Sequence, residues 1–225
     1  MAALEMIRER VRWCEAEGVD VLLCPEGVLG GLADDLPRPS DIAIDVENGD
    51  LGRVLQPLAS ATVTTIVGFS EASSGALYNS AAVYAQGQVL GVYRKRHPAR
   101  RVSVYAAGTQ SPVFEVGALR FGLMICNDTN FPALADDMVA RGARLLLVPS
   151  NNGLRTEIAD VVALTRAGDV ETARRCGVPV ARADVAGRTE ERVAFGTSAI
   201  VDASGEVIRA GTPFTEDLLV ADLDV

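Results

Sequence analysis

The chain has 225 residues, 48% hydrophobic and 23% charged, a composition that suits one medium-sized globular domain and excludes a disordered chain. A formal charge of −9 argues against nucleic acid as a partner, because phosphates are bound by Lys and Arg. Four cysteines without C-x-x-C spacing and a lone histidine argue against a metal site, and no apolar run reaches the roughly 18–20 residues that span a bilayer.

Residues 2–17 read as an amphipathic helix, with Leu4, Ile7, Val11 and Cys14 recurring at spacings of three and four. This start lacks the apolar core of a signal peptide, so a cytoplasmic chain with reduced thiols is expected. Residues 19–24 form a short apolar run of the kind found in a buried parallel strand, ended by Pro25. Residues 30–39 are loop, 51–59 helix and 61–69 strand. Residues 77–84 and 88–93 form a hairpin, and 112–115 with 119–125 a second one. A helix over 131–141 closes at Gly142. The strand 144–148 stops at Pro149. A helix follows over 160–176, then strands at 178–183, 194–201, 206–210 and 218–222. Helices alternating with strands and hairpins predict a single α/β layered domain with mixed sheets over 1–225.

Three chemistry-bearing segments follow strand ends: Glu26 after 19–24, Cys126 after 119–125, and Ser150-Asn151-Asn152 after 144–148. In open α/β sheets ligands bind beyond the carboxyl ends of the strands, so parallel neighbours would point all three at one crevice. Cys126 stands at a strand-to-helix turn. There a thiol can act as nucleophile beside backbone N–H groups that face an oxyanion. The alternative is a small buried hydrophobe, the usual role of cysteine. Taken alone, Glu26 after Pro25 reads as a helix N-cap or surface turn. Lys95 lies among Arg94, Arg96, Arg100 and Arg101, either as a solvated face or as an anion clamp.

Three segments occur in order: Leu23-Cys24-Pro25-Glu26, Tyr93-Arg94-Lys95-Arg96-His97, and Ile125-Cys126-Asn127-Asp128 followed by Phe131-Pro132. With Phe195-Gly196-Thr197-Ser198 further on, they resemble the Glu, Lys and Cys motifs of the nitrilase superfamily of carbon–nitrogen hydrolases, from about Gly18 to the C-terminus. The resemblance implies a four-layer α-β-β-α sandwich. It implies hydrolysis of a small amide, carbamoyl or nitrile substrate through a thioester on Cys126, with no metal or organic cofactor. Glu26 would be the general base, and Lys95 with the Asn127 backbone N–H would stabilise the oxyanion. Asn127, Asp128, Asn151 and Asn152 are candidates to line the substrate pocket, or else turn-formers that bond their own backbone. His97 has no role in such chemistry. A homodimer or higher oligomer is implied as well.

The chain departs from the family in three places. Many relatives carry a second Glu between the Lys and Cys motifs, and here no Glu or Asp lies between Lys95 and Glu115. Ala133 and Asp136 replace a usual Glu and Arg, and the segment 172–177 reads Thr-Ala-Arg-Arg-Cys-Gly. The chain begins inside the first helix, without the strand that precedes it in relatives. The missing second Glu predicts a divergent member. That gap and the short start also leave room for a non-catalytic binding subunit, and acyl transfer from the same thioester is a further alternative.

Overall fold

The computed structural model describes residues 2–99, 102–154, 160–188 and 193–225. The chain divides into two compact units, Met1–Gln110 and Ser111–Val225. Each is built on a mixed sheet, so the fold class is α/β.

The first unit contains α1 (Ala2–Glu17), β1 (Val21–Leu23), β2 (Ile44–Asp45), α2 (Asp50–Leu55), β3 (Thr64–Ser73), β4 (Ala76–Ala85) and β5 (Gln88–Arg94). The sheet order is β1-β3-β4-β5, with β2 also on β3. β1 and β2 run parallel to β3, whereas β3–β4 and β4–β5 are antiparallel. The predicted apolar stripe of α1 buries Ile7, Val11 and Cys14 against a core that includes Leu22, Leu55, Leu58, Val67, Phe69 and Tyr84. Each large aliphatic side chain buried this way stabilises the fold by about 1.5–3 kcal/mol. A charge at Val11 would cost most of that contact. Trp13 points off this stripe and is exposed.

The turn between β4 and β5 is Gln86-Gly87, both with positive φ (51° and 74°). That is the backbone of the two-residue hairpin loop whose twist matches its strands, and Gly87 adopts it without a Cβ penalty. The predicted strand 61–69 begins later and runs on to Ser73, where Ser74-Gly75 closes a second such hairpin.

The second unit contains β6 (Val113–Val116), β7 (Leu119–Leu123), α3 (Pro132–Ala140), β8 (Leu145–Ser150), β9 (Gly153–Leu154) and α4 (Val161–Cys176). There follow β10 (Val180–Asp184), β11 (Ala186–Arg188), β12 (Val193–Phe195), β13 (Ala199–Val201) and β14 (Val207–Ala210). The main sheet runs β14-β13-β10-β8-β7-β6, with β10, β8 and β7 mutually parallel, and β11, β12 and β9 form a small separate sheet. Leu134, Ala135 and Met138 of α3 and Ala173 of α4 join Met124, Leu146, Val148, Val180 and Val201 in one core.

Three sequence expectations are corrected here. Pro149 does not stop β8; it pairs with Ala183 of β10. The Leu147 carbonyl accepts from Met124 on the β7 side, so Pro149, two residues on, faces that same side beyond the last β7 pair. A missing N–H costs no ladder bond there. The run 194–201 is two strands, broken at Gly196 (φ 71°). Residues 218–222 alternate exposed and half-buried side chains but form no strand.

Candidate active site

In the first unit Glu26 sits in a turn just past β1. The backbone around it runs along β3, with Cys24 N donating to Ile66 O (2.9 Å) and Leu29 N to Gly68 O (3.1 Å). A Cβ on Gly68 would fall 2.5 Å from Pro25 O and 2.6 Å from Gly27 N, so only glycine lets β3 approach this turn. Lys95 follows the last residue of β5. Its N–H donates to Asn79 O and its carbonyl accepts from Gly108 N, both at 2.8 Å.

β1 and β5 are two strands apart, yet their following side chains meet. Lys95 Nζ donates to Glu26 Oε1 at 2.6 Å, with both side chains buried. Asn79 on β4 donates its Nδ2 to the same oxygen at 2.7 Å. The pairing explains how either charge survives burial, since an isolated buried ion is several kcal/mol too costly. Next to it, Glu71 of β3 is fully buried and takes both a fork from Arg94 and the Ser80 hydroxyl. Arg94 lies 4.0 Å over the Tyr78 ring. The Glu71 bonds are the largest cause of an Arg94 pKa above the ordinary arginine value.

The stretch in which many relatives carry a second Glu is anchored here by Tyr105 and Ser103. The Tyr105 hydroxyl accepts from Ala33 N and shares a proton with Ser70 Oγ, both at 2.6 Å. Ser103 Oγ and Val104 N donate to Asp34. Arg100 and Arg101 lie outside the described residues. Arg96 and His97 follow Lys95 as half-buried residues.

In the second unit β7 ends at Leu123, and Cys126 opens a 3₁₀ turn, Cys126–Asn130. Cys126 has φ 46°, a left-handed conformation that costs a side-chain-bearing residue about 1–2 kcal/mol. Side-chain bonds help to hold the turn: Asp128 Oδ2 accepts from Ile125 N at 2.9 Å, and Thr129 Oγ1 donates to Cys126 O at 2.9 Å. Asp128 is wholly buried, and this oxygen bonds the backbone of its own turn. Asn127 is half-buried, with its Oδ1 taken by Asn130 Nδ2.

The β7–β8 neighbours place Cys126 and Asn152 at one sheet end, as expected, with Cys126 Sγ 3.2 Å from Asn152 Oδ1. Asn151 is half-buried beside it. Of the loop beyond β8, residues 155 and 156 lie outside the described residues. β1 does not neighbour these strands; it belongs to the first unit's sheet, so the expectation of three parallel neighbours is corrected for the strand preceding Glu26. Its short apolar run is that of any doubly covered parallel strand, and such a run does not tell which sheet it joins.

Below the Cys126 turn Arg182 of β10 is buried. It forks onto Asp169 of α4 (2.7 and 2.6 Å) and reaches Ser150 Oγ and Thr129 Oγ1. Burial works against its charge, but Asp169, with smaller contributions from Cys126 and Asp184, outweighs it and leaves the guanidinium pKa raised. Among the described residues no group of three or more His, Cys, Asp or Glu could hold a metal ion, and no helix is long and apolar enough to cross a membrane.

The carbon–nitrogen hydrolase family model matches residues 1–225. The chain belongs to the carbon–nitrogen hydrolase family.

This hydrolase-family chain is 31% identical over 220 residues to the glutamine-dependent NAD(+) synthetase of Xylella fastidiosa, covering 92% of the chain but only 38% of that protein. It therefore spans well under half the length of such relatives. It is 33% identical over 193 residues to an omega-amidase of Bos taurus, covering 79% of the chain and 67% of that enzyme. A carbon–nitrogen hydrolase structure from Helicobacter pylori G27 matches its fold with a TM-score of 0.85 at 20% identity, over 99% of this chain and 84% of that one.

Several polar residues, near Glu26 in the first unit of this carbon–nitrogen hydrolase and near Cys126 in the second, carry no signal of their own in the sequence. Asn79, Glu71, Asp169, Arg182, Asp184 and Thr197 are buried polar groups on strands or a helix, or just beyond a strand. Each looks locally like a surface residue. Only a charged residue on the buried face of a strand, such as Arg182 between Val180 and Asp184, hints that a partner waits inside.

Proposed function

We propose that this chain hydrolyses a small amide or N-carbamoyl substrate through a thioester on Cys126, with Glu26 as general base and Lys95 as the oxyanion clamp. The observation that carries the reading is the buried Lys95–Glu26 pair at 2.6 Å, in order with a thiol on a left-handed turn. A buried lysine and glutamate are costly to keep, and a hydrophobic pair would serve stability as well. Their retention suits a site that needs one group to move a proton and another to hold negative charge.

Cys126 attacks the carbonyl carbon while Glu26 takes the thiol proton. Lys95 steadies the oxyanion, and the proton passes to the departing nitrogen. Water, activated by Glu26, then releases the acid and restores the thiol. The names of two relatives support an amide as substrate: one is an amidase, and the other depends on glutamine, whose side chain is a primary carboxamide.

Purified protein assayed against a panel of primary amides, N-carbamoyl amino acids and nitriles should turn over an amide or a carbamoyl compound. Cys126→Ala should abolish that turnover while the circular dichroism spectrum is unchanged. Undiminished turnover in that variant overturns the reading.

A further inference from the structure

The amide of Asn152 is held in one orientation by a chain of hydrogen bonds that begins at Asp184. As a carboxylate, Asp184 only accepts. Its Oδ1 takes Asn152 N–H at 2.9 Å, and its Oδ2 takes Thr197 N–H at 2.9 Å and the Thr197 hydroxyl at 2.7 Å. The hydroxyl proton of Thr197 is thereby committed, and a lone pair of Oγ1 is left to accept from Asn152 Nδ2 at 3.1 Å. Asn152 must then present Oδ1, not Nδ2, on its other side, where Cys126 Sγ donates across 3.2 Å. Asp184 and Thr197 are both buried, so water does not readily substitute for these partners. Turning the amide over would set two acceptors face to face at Thr197. The atom fixed beside the sulfur is therefore an acceptor.

An acceptor there is of no use to an oxyanion. It suits a donor on the group that the sulfur attacks. We infer that Asn152 is a specificity-determining residue: its Oδ1 accepts an N–H from the nitrogen of the scissile bond, and Asp184, acting through Thr197, is the positioning residue that keeps it an acceptor. The inference rests on Cys126 being the nucleophile. In the resting protein the thiol fills this acceptor. When the thiol proton leaves for the base, the sulfur–carbon bond forms and the carbonyl π pair moves to oxygen. Oδ1 is then released to the substrate N–H. On collapse the oxygen pair returns, the carbon–nitrogen bond breaks, and the nitrogen leaves as an amine carrying the proton taken from the thiol. An ester offers an oxygen lone pair at that position and a nitrile offers no hydrogen. Both face Oδ1 without a bond, and sites built to bond an N–H reject analogues lacking it.

The test compares kcat/KM for a primary carboxamide that turns over with that for the methyl ester of the same acid. It uses wild type, Asn152→Ala, Asn152→Leu and Asp184→Asn. The amide-to-ester ratio should fall at least tenfold in both Asn152 variants, through loss on the amide alone. It should also fall in Asp184→Asn, whose new amide can donate to Thr197 and free Asn152 to turn. A ratio within twofold of wild type in both Asn152 variants overturns the inference, as does an equal loss on both substrates, the mark of a merely structural role. Cys126→Ala separates the two claims. Retained turnover in that variant means that the nucleophile assignment has failed, whatever the ratio does.

Discussion

Lys95 Nζ and Glu26 Oε1 stand 2.6 Å apart with both side chains buried, although β5 and β1 are separated in their sheet by two strands. The backbone makes this possible, because Gly68 on β3 lets the Glu26 turn lie against the strand.

Glu26→Gln should lower turnover by about 10²–10⁴-fold, the usual worth of a general base. It should also destabilise the protein, because Lys95 is left as a buried charge whose partner is neutral; removing one partner of such a pair costs about 3–5 kcal/mol. Combining Glu26→Gln with Lys95→Met should recover much of the stability and none of the activity. Urea denaturation of the two single variants and the double variant measures that coupling.

Gly68→Ala should act on the site through the backbone. The new Cβ meets Pro25 O, Gly27 N and Glu26 Cα at 2.5–2.9 Å, so the Glu26 turn must move. Overpacking of this kind costs about 1–3 kcal/mol. A denaturation midpoint equal to wild type with full activity would show that the turn has room to spare.

How much of this was legible in the sequence differs from residue to residue. The stripe Ile7–Val11–Cys14 was plain, because one helix face packs on one core and the spacing records it. The places of Glu26, Lys95 and Cys126 were legible from strand ends and motif order. The Lys95–Glu26 bond and the partners around each of the three residues were not. Asn79 meets Glu26 from 53 residues away, and Thr197 meets Asn152 from 45. Local periodicity reports which face is buried and is silent on which distant partner satisfies a buried polar group. The run 194–201 reads as one apolar strand because a glycine break leaves the hydrophobic pattern intact.

Among the four thiols, Cys126 should be the one that iodoacetamide labels first at neutral pH. Burial pushes the thiols of Cys14 and Cys176 up and that of Cys24 up to about 12, so few are thiolates near pH 7. Peptide mapping after a short exposure should find the label on Cys126. Equal labelling of Cys126 and Cys176 would argue for a binding module without an activated thiol.

Cys24 should also leave a mark on stability at high pH. An unfolded thiol ionises near its ordinary value of 9.0, whereas the folded Cys24 holds its proton to about 12. Between those values the unfolded chain binds fewer protons than the folded one, so the contribution of Cys24 is complete below pH 9 and declines as pH rises. The stability advantage of wild type over Cys24→Ala, read from urea midpoints, should shrink from pH 8 to pH 10.5. An advantage that stays constant or grows would contradict the burial of that thiol.

The claim that Cys126 carries the chemistry is met most directly by catching the covalent intermediate. Protein turning over an active amide, quenched in acid and digested, should yield the peptide containing Cys126 with the mass of the substrate's acyl group added, and no such adduct in Cys126→Ala. An acyl group on another residue, or steady turnover that never leaves an adduct on Cys126 even in Glu26→Gln, where deacylation should be slowed, would contradict it.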